Sequence, residues 1–282
     1  MSSDHAALVY AAEAQAALCT IVGIDGSFSR RCGAQLAVGR NGTLVGDMAD
    51  NCLQNELAAQ AAICACEGAA RVLRYGKGSP FIDFRLPCGS GLDILIDPAP
   101  RTDQLLECLA DLGARRASAL PLAVPVADDR HFLRTRRYIP RLRLLVLGAG
   151  GECEALQRQA KATGVEVEWH AAGRQFALNT VPTGISADPW TAVLLLFHDH
   201  EWEHALLAWA LQTPAFFIGC QGGAQARARR LELLGANGFD SSALARINSP
   251  VGLVPRARSP EVLALSILSE VVGAYEALHP HP

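Results

Sequence analysis

The sequence has no surplus of basic residues, no long uncharged apolar run and no cysteine framework, and each absence removes a class of protein. Its 25 Lys and Arg stand against 28 Asp and Glu, a net charge of −3. That balance offers no general attraction to nucleic acid or an anionic membrane, so an anionic ligand needs a local basic site. No apolar stretch reaches the ~18 residues that a spanning helix requires. The N-terminal segment carries Asp4 and Glu13 without a basic start, which does not read as a signal peptide. The 9 cysteines are odd in number and scattered. A chain this long needs no covalent staples, so reduced thiols in a cytoplasm are the expectation. No internal repeat is present. Half the residues are apolar and 19% are charged, which excludes extended disorder, and 282 residues suffice for two domains.

What is there divides at its middle. "DHAALVYAAEAQAA" has helical spacing and "LCTIVGI" is a short β-rich run. "DGSFSRRCGAQ" reads as a loop, and Asn41-Gly42 marks the turn of a hairpin. From Cys52 to about Arg74 the chain is rich in Ala, Leu and Gln, with Leu53, Leu57, Ala61 and Cys64 at helical spacing. "SPFIDFRLP" and "GLDILIDPAP" read as strands flanking a turn at Cys88, and "TDQLLECLADLGA" as a helix. Beyond a proline-containing basic stretch, apolar strands alternate with helices: "RLRLLVLG", "VEVEW", "TAVLLLF" and "PAFFIGC". Continuously apolar strands in such alternation indicate a parallel sheet covered on both faces. The expected class is α/β: a mixed α+β domain over 1–115, a linker over 116–140 with room for a strand or two crossing into either domain, and a Rossmann-like doubly wound domain over 141–282.

Several segments carry candidate chemistry. Asn51 is a good N-cap, with Gln54 three positions on, which places Cys52 at the first helical position. Free N–H groups and the helix dipole favour a thiolate there. The alternative is a small core residue, because free cysteine is among the most buried types. Cys88 precedes Gly89-Ser90-Gly91, a turn that lets the backbone approach a ligand or an incidental thiol in a tight turn. Gly148-Ala149-Gly150-Gly151 follows a buried strand and approaches the dinucleotide fingerprint, but Cys153 takes its third small position and no carboxylate ends the next strand. A second glycine turn, Gly219-Cys220-Gln221-Gly222-Gly223, opens a helix on which Arg227 and Arg230 share a face. These guanidiniums suit either a phosphate cradle or a solvated basic face. His198, Asp199 and His200 lie in "FHDHEWEH", where His200 and His204 have the spacing of zinc ligands but no third ligand. A polar strand-end loop facing a ligand crevice is the other reading.

Together these segments resemble the XdhC/CoxI maturation factors of molybdenum hydroxylases such as xanthine dehydrogenase, across nearly the whole chain. "GSFSRRCGAQL", "GDMADNCLQ", "PCGSG", "LVLGAGG" and "FHDHE" stand where that family has its loop, cysteine, turn, glycine and His-Asp-His segments. "VGLVPRARSPEVLALSILSEVV" matches its closing stretch. The chain departs from the pattern at Ser29, Asp50, Asn51, Gln54, Gly151, Phe197, Gly223 and Ala224. The resemblance implies a non-catalytic protein that binds the molybdenum cofactor (molybdopterin), shields it, supports its sulfuration by a cysteine desulfurase and inserts it into a hydroxylase. Carried over by position, Cys52 and Cys88 are the motif cysteines, facing molybdenum or a persulfide. Gly26, Ser27, Arg30 and Gly33 fall on the first loop, and Gly148, Gly150, Gly219, Gly222 and Gly223 on the glycine turns.

Two other readings compete. One is an NAD(P)-dependent oxidoreductase working through the Rossmann-like half. The other is a degenerate relative that docks onto a partner without carrying a cofactor. The apolar content also leaves room for a homodimer.

Overall fold

A computed structural model describes residues 3–49, 51–80, 89–125 and 131–281, and the chain forms two units. One comprises Ser2–Pro140 with Pro280–Pro282, the other Arg141–His279.

The first unit contains α1 (Ser3–Ala14), β1 (Ala17–Asp25), β2 (Gln35–Val38), β3 (Leu44–Gly46), α2 (Asn51–Glu67), β4 (Arg71–Gly76), β5 (Gly91–Asp97), α3 (Thr102–Gly113), β6 (Ser118–Pro121) and β7 (Thr135–Tyr138). Its main sheet runs β3-β2-β1-β5-β4, with every neighbouring pair antiparallel. Alternation along the strands gives this sheet two apolar faces. Cys19, Ile21, Leu92, Ile94 and Ile96 pack with Leu53, Leu57, Ala61 and Cys64 of α2. Leu18 and Ala37 pack on the opposite face with Leu8 and Ala11 of α1 and with Leu105 and Cys108 of α3.

Two local outcomes differ from the sequence reading. The helical stretch expected to reach Arg74 stops at Glu67, where Gly68 takes a left-handed φ of 66°, and Arg71–Gly76 becomes a strand paired with β5. α2 begins at Asn51, one residue earlier than a cap at that position implies. The stretch expected as a linker with a strand or two in it contains β6 and β7, which pair as an antiparallel ribbon, and Leu120 and Tyr138 join the core under α1 and α3. The expected strand "SPFIDFRLP" falls mostly, and Cys88 wholly, outside the described residues.

The second unit contains β8 (Arg143–Gly148), α4 (Gly151–Ala162), β9 (Glu166–Ala171), β10 (Thr191–Leu196), a 3-10 turn (His200–Trp202), α5 (Glu203–Leu211), β11 (Phe217–Cys220), α6 (Ala224–Ala236), α7 (Ser241–Ala245), β12 (Ile247–Asn248) and α8 (Pro260–Glu276). Its sheet is wholly parallel in the order β12-β11-β10-β8-β9. Leu145, Leu147, Val193 and Leu195 pack with Leu206, Leu207 and Ala210 of α5 and with Leu234 of α6. Leu144 and Val146, on the other face of β8, are equally buried, and α4 packs beside β9 and α8. The chain goes from β8 to β9 on one side and to β10 on the other, so the switch point of this doubly wound sheet lies between β8 and β10. Among the described residues no helix is long and apolar enough to cross a membrane.

Candidate functional site

In the first unit, three expected segments gather at one end of the sheet. The loop leaving β1 returns to it, because Gly33 donates its N–H to the Ile21 carbonyl at 2.8 Å before β2 begins. Gly26, at a φ of 94°, sits against Ser90, where an added Cβ would lie 3.5 Å from the serine's Cα and Cβ. The Gly26 loop therefore touches the turn that follows Cys88. From the same loop Arg30 reaches Asp47, placing Nη2 2.5 Å from Oδ2, and donates a second bond to the Ser29 carbonyl at 2.9 Å. The Arg30 hydrogen bond, aided by one from the Ala49 N–H, holds the Asp47 carboxyl below the usual carboxylate range. Asp47 lies between β3 and α2, so this ion pair ties the loop to the approach of the Cys52 helix.

The cysteines in this unit differ in access. Cys52 and Cys66 are exposed on α2, whereas Cys19 and Cys64 are buried in the core. Burial pushes the Cys19 thiol far above its ordinary range, and the neighbouring Cys64 adds to the effect. Gly89 has a φ of 69° and open space where a side chain would stand. Gly33 packs instead of lining an opening: an added Cβ would meet Arg136 Cδ at 2.8 Å.

Beside the gathered loops, on the sheet face opposite α2, Gly23, Asp25, Arg74, Asp93 and His131 line an open pocket of about 740 Å³. Arg74 pairs with buried Asp93 at 2.6 Å and with Asp25 at 3.2 Å. Sequence reading missed Asp47, Arg74 and Asp93. Their signal was weak, since each pairing joins residues 17 to 49 positions apart that share no motif.

In the second unit, the expected residues sit at the C-terminal ends of β8, β10 and β11. Gly150 caps α4 at a φ of 112°, and Trp169 donates its indole N–H to the Gly148 carbonyl at 3.1 Å. At Gly148 an added Cβ would collide with the Leu196 carbonyl oxygen, so this glycine allows β8 and β10 to approach closely. Glu152, in the first turn of α4, points its carboxylate at His198 beyond β10. Its Oε1 is 3.3 Å from His198 Nε2, with the glutamate side chain 14% exposed and the histidine 72%. The other oxygen, Oε2, would lie 3.2 Å from a Cβ added at Gly150. Sequence reading passed over Glu152 because an acid in the first turn of a helix is ordinary.

The other expected residues of this unit have the following surroundings. Arg230 is 5% exposed and clamps Glu203, itself 1% exposed, with Nε at 2.5 Å and Nη2 at 2.8 Å from the two carboxylate oxygens. Its Nη1 donates to Ser249 Oγ at 2.7 Å, and Nη2 also reaches the Gln221 carbonyl. Arg227 donates to the carbonyls of Ile247 and Ser249. Both guanidiniums, read from the sequence as either a phosphate cradle or a basic helix face, hold the β11 turn and the β12 loop through these bonds. Gly219 is interior to β11, where a Cβ would press on Val251, Leu194 and Phe217. Asp199 caps the 3-10 turn by accepting the Glu201 N–H. His200 Nδ1 lies 3.0 Å from Glu203 and over Gly222, while His204 Nε2 meets Asn237, so the two histidines do not converge on a metal. Gly223 faces open space at the start of α6. Among the described residues no group of three His, Cys, Asp or Glu could hold a metal ion.

Comparison with known proteins follows the division of the chain. Residues 144–271 match a family model described as the XdhC Rossmann domain, and residues 9–76 match that of the XdhC and CoxI family. The Escherichia coli molybdenum cofactor insertion chaperone PaoD is 31% identical over 291 aligned residues, covering 97% of this chain and 89% of the relative. A crystal structure described as a xanthine dehydrogenase from Bacillus halodurans superposes with a TM-score of 0.73 at 19% identity, covering 99% of this chain and 97% of that one. At that identity the likeness speaks to the fold alone.

Proposed function

This chain belongs to the XdhC and CoxI family, and on that premise we propose that it is a molybdenum cofactor chaperone, an accessory protein that shields the cofactor and hands it to a molybdenum hydroxylase. The observation that carries this reading is the gathering in the first unit, where the Gly26 loop lies against Ser90 and Arg30 is tied to Asp47 ahead of exposed Cys52. A carrier for an oxidation-sensitive, phosphorylated pterin needs polar backbone to hold an anion and a soft ligand for a metal. When bound, the cofactor supplies a dithiolene-held molybdenum centre and a terminal phosphate.

The residues present fit that group. Ser27 and the loop amides around Gly26 would hold the phosphate. Arg30, oriented by Asp47, keeps the loop in place. Cys52 would present its sulfur toward the metal end, with Cys88 as the second motif cysteine and Gly89 letting the turn come close. The buried thiols Cys19, Cys64, Cys108, Cys153 and Cys220 would take no part. The partners under this reading are a xanthine dehydrogenase-like hydroxylase that receives the cofactor and a cysteine desulfurase that supplies its sulfur.

The test is transfer. Chain loaded anaerobically with released cofactor is mixed with a cofactor-free molybdenum hydroxylase, and recovery of hydroxylase activity is followed. The reading expects recovery faster than with free cofactor alone, and slower when Cys52→Ala replaces the wild type. Recovery no faster than with free cofactor contradicts it.

A further inference from the structure

The second unit has the fold in which dinucleotides bind, and its residues do not fit one. In such a sheet the pyrophosphate crosses the switch point, resting on the N-terminus of the helix after the first strand. Here that place lies between Gly150 at the start of α4 and the loop after β10. Glu152 already spans it, with one carboxylate oxygen 3.3 Å from His198 Nε2 and the other beside Gly150. We propose that Glu152 is a built-in anion that occupies the pyrophosphate position, so that this unit excludes NAD(P) and any other ligand presenting a diphosphate to the α4 turn.

Two independent features agree. The third small residue of a dinucleotide turn lets helix and strand pack closely, and Cys153 stands there with its buried sulfur 3.1 Å from the Cβ position of Gly148. The tip of β9, where a carboxylate would take the ribose hydroxyls, is Ala171, whose N–H is held by Gln175 Oε1 at 2.6 Å. The adenosine end therefore lacks its anchor as well. Glu152 remains the decisive group, because it sets a negative charge where a second would have to enter. Glu152 and Glu154 place two acids in the first turn of α4, where the helix dipole favours negative charge, and the glycine turn serves the close approach of β8 and β10 instead of a phosphate.

The test uses the full chain and two probes, NADH and inorganic pyrophosphate. NADH is followed by nicotinamide fluorescence, with quenching of tryptophan as a second signal, since Trp169 is bonded to the turn itself. Pyrophosphate is followed by titration calorimetry. Wild type is expected to bind neither probe at the α4 turn at about 1 mM, and any pyrophosphate held by the Gly26 loop of the first unit is expected to be unchanged by substitution of Glu152. Glu152→Ala, and the shape-preserving Glu152→Gln, are expected to bind pyrophosphate about tenfold or more tighter than wild type. Circular dichroism confirms that each variant is folded. Micromolar NADH binding by wild type overturns the inference, and so does a folded pair of variants that bind pyrophosphate no better than wild type. Neither outcome bears on cofactor transfer, which is read separately.

Discussion

Arg30 holds a guanidinium nitrogen 2.5 Å from an Asp47 carboxylate oxygen, joining the loop after β1 to the segment that leads into α2. The pair is partly open to water, so its Coulombic worth is modest. Its value is geometric: it fixes the loop relative to the helix that carries Cys52.

The pair makes the loop sensitive to acid. The Asp47 carboxyl is depressed in the folded chain, chiefly by the Arg30 hydrogen bond. A depressed acid contributes stability above its unfolded value, about 3.9, and that contribution is lost as pH falls through the lower folded value. Carboxyl-carbon NMR of Asp47 is expected to show a midpoint below the ordinary range in wild type and a return toward it in Arg30→Ala. An Asp47 midpoint unchanged by that substitution would show that the tie is absent in solution.

Thiol access separates the cysteines. Burial pushes the Cys153 and Cys220 thiols up to about 12, and Cys19 further still. Brief alkylation of the native chain with iodoacetamide at neutral pH, read by peptide mass spectrometry, is expected to mark Cys52 and Cys66. Cys19, Cys153 and Cys220 should react only after denaturation. A protected Cys52 contradicts its assignment as the presented sulfur.

Arg230 and Arg227 should differ in stability, not in ligand binding. Arg230→Ala removes the charged partner of the buried Glu203 carboxylate and leaves it with His200 alone among the described residues, which costs about 3–5 kcal/mol. Arg227→Ala removes bonds to two backbone carbonyls and costs about 1–2 kcal/mol. Urea unfolding measures both. The reverse order, or two near-neutral changes, would return these arginines to the role of free anion donors.

Local signals carried most of the fold. Asn41-Gly42 turns the β2–β3 hairpin because that dipeptide accepts the backbone angles a tight turn needs. The apolar runs of β8, β10 and β11 announced a parallel sheet because both of its faces are covered. What stayed hidden depends on partners far away in sequence. Arg230 looked like one side of a basic helix face until Glu203, 27 residues earlier on α5, was found beneath it. Arg30 lay in a recognisable loop, yet nothing in its spacing named Asp47. The strand β4 was hidden by the Ala-rich helix before it, and only Gly68 marked the break. At the candidate site, the motifs located the segments, while the ion pairs that position them came from tertiary structure.

The central claim is that the chain itself holds the cofactor, and binding stoichiometry tests it most directly. Purified chain is incubated anaerobically with released molybdenum cofactor, separated by gel filtration, and assayed for molybdenum and for pterin. The account expects about one of each per chain or per dimer, falling sharply in Cys52→Ala and in the Cys52→Ala, Cys88→Ala double variant. Chain that emerges free of molybdenum and pterin, or a double variant that retains as much as wild type, contradicts it.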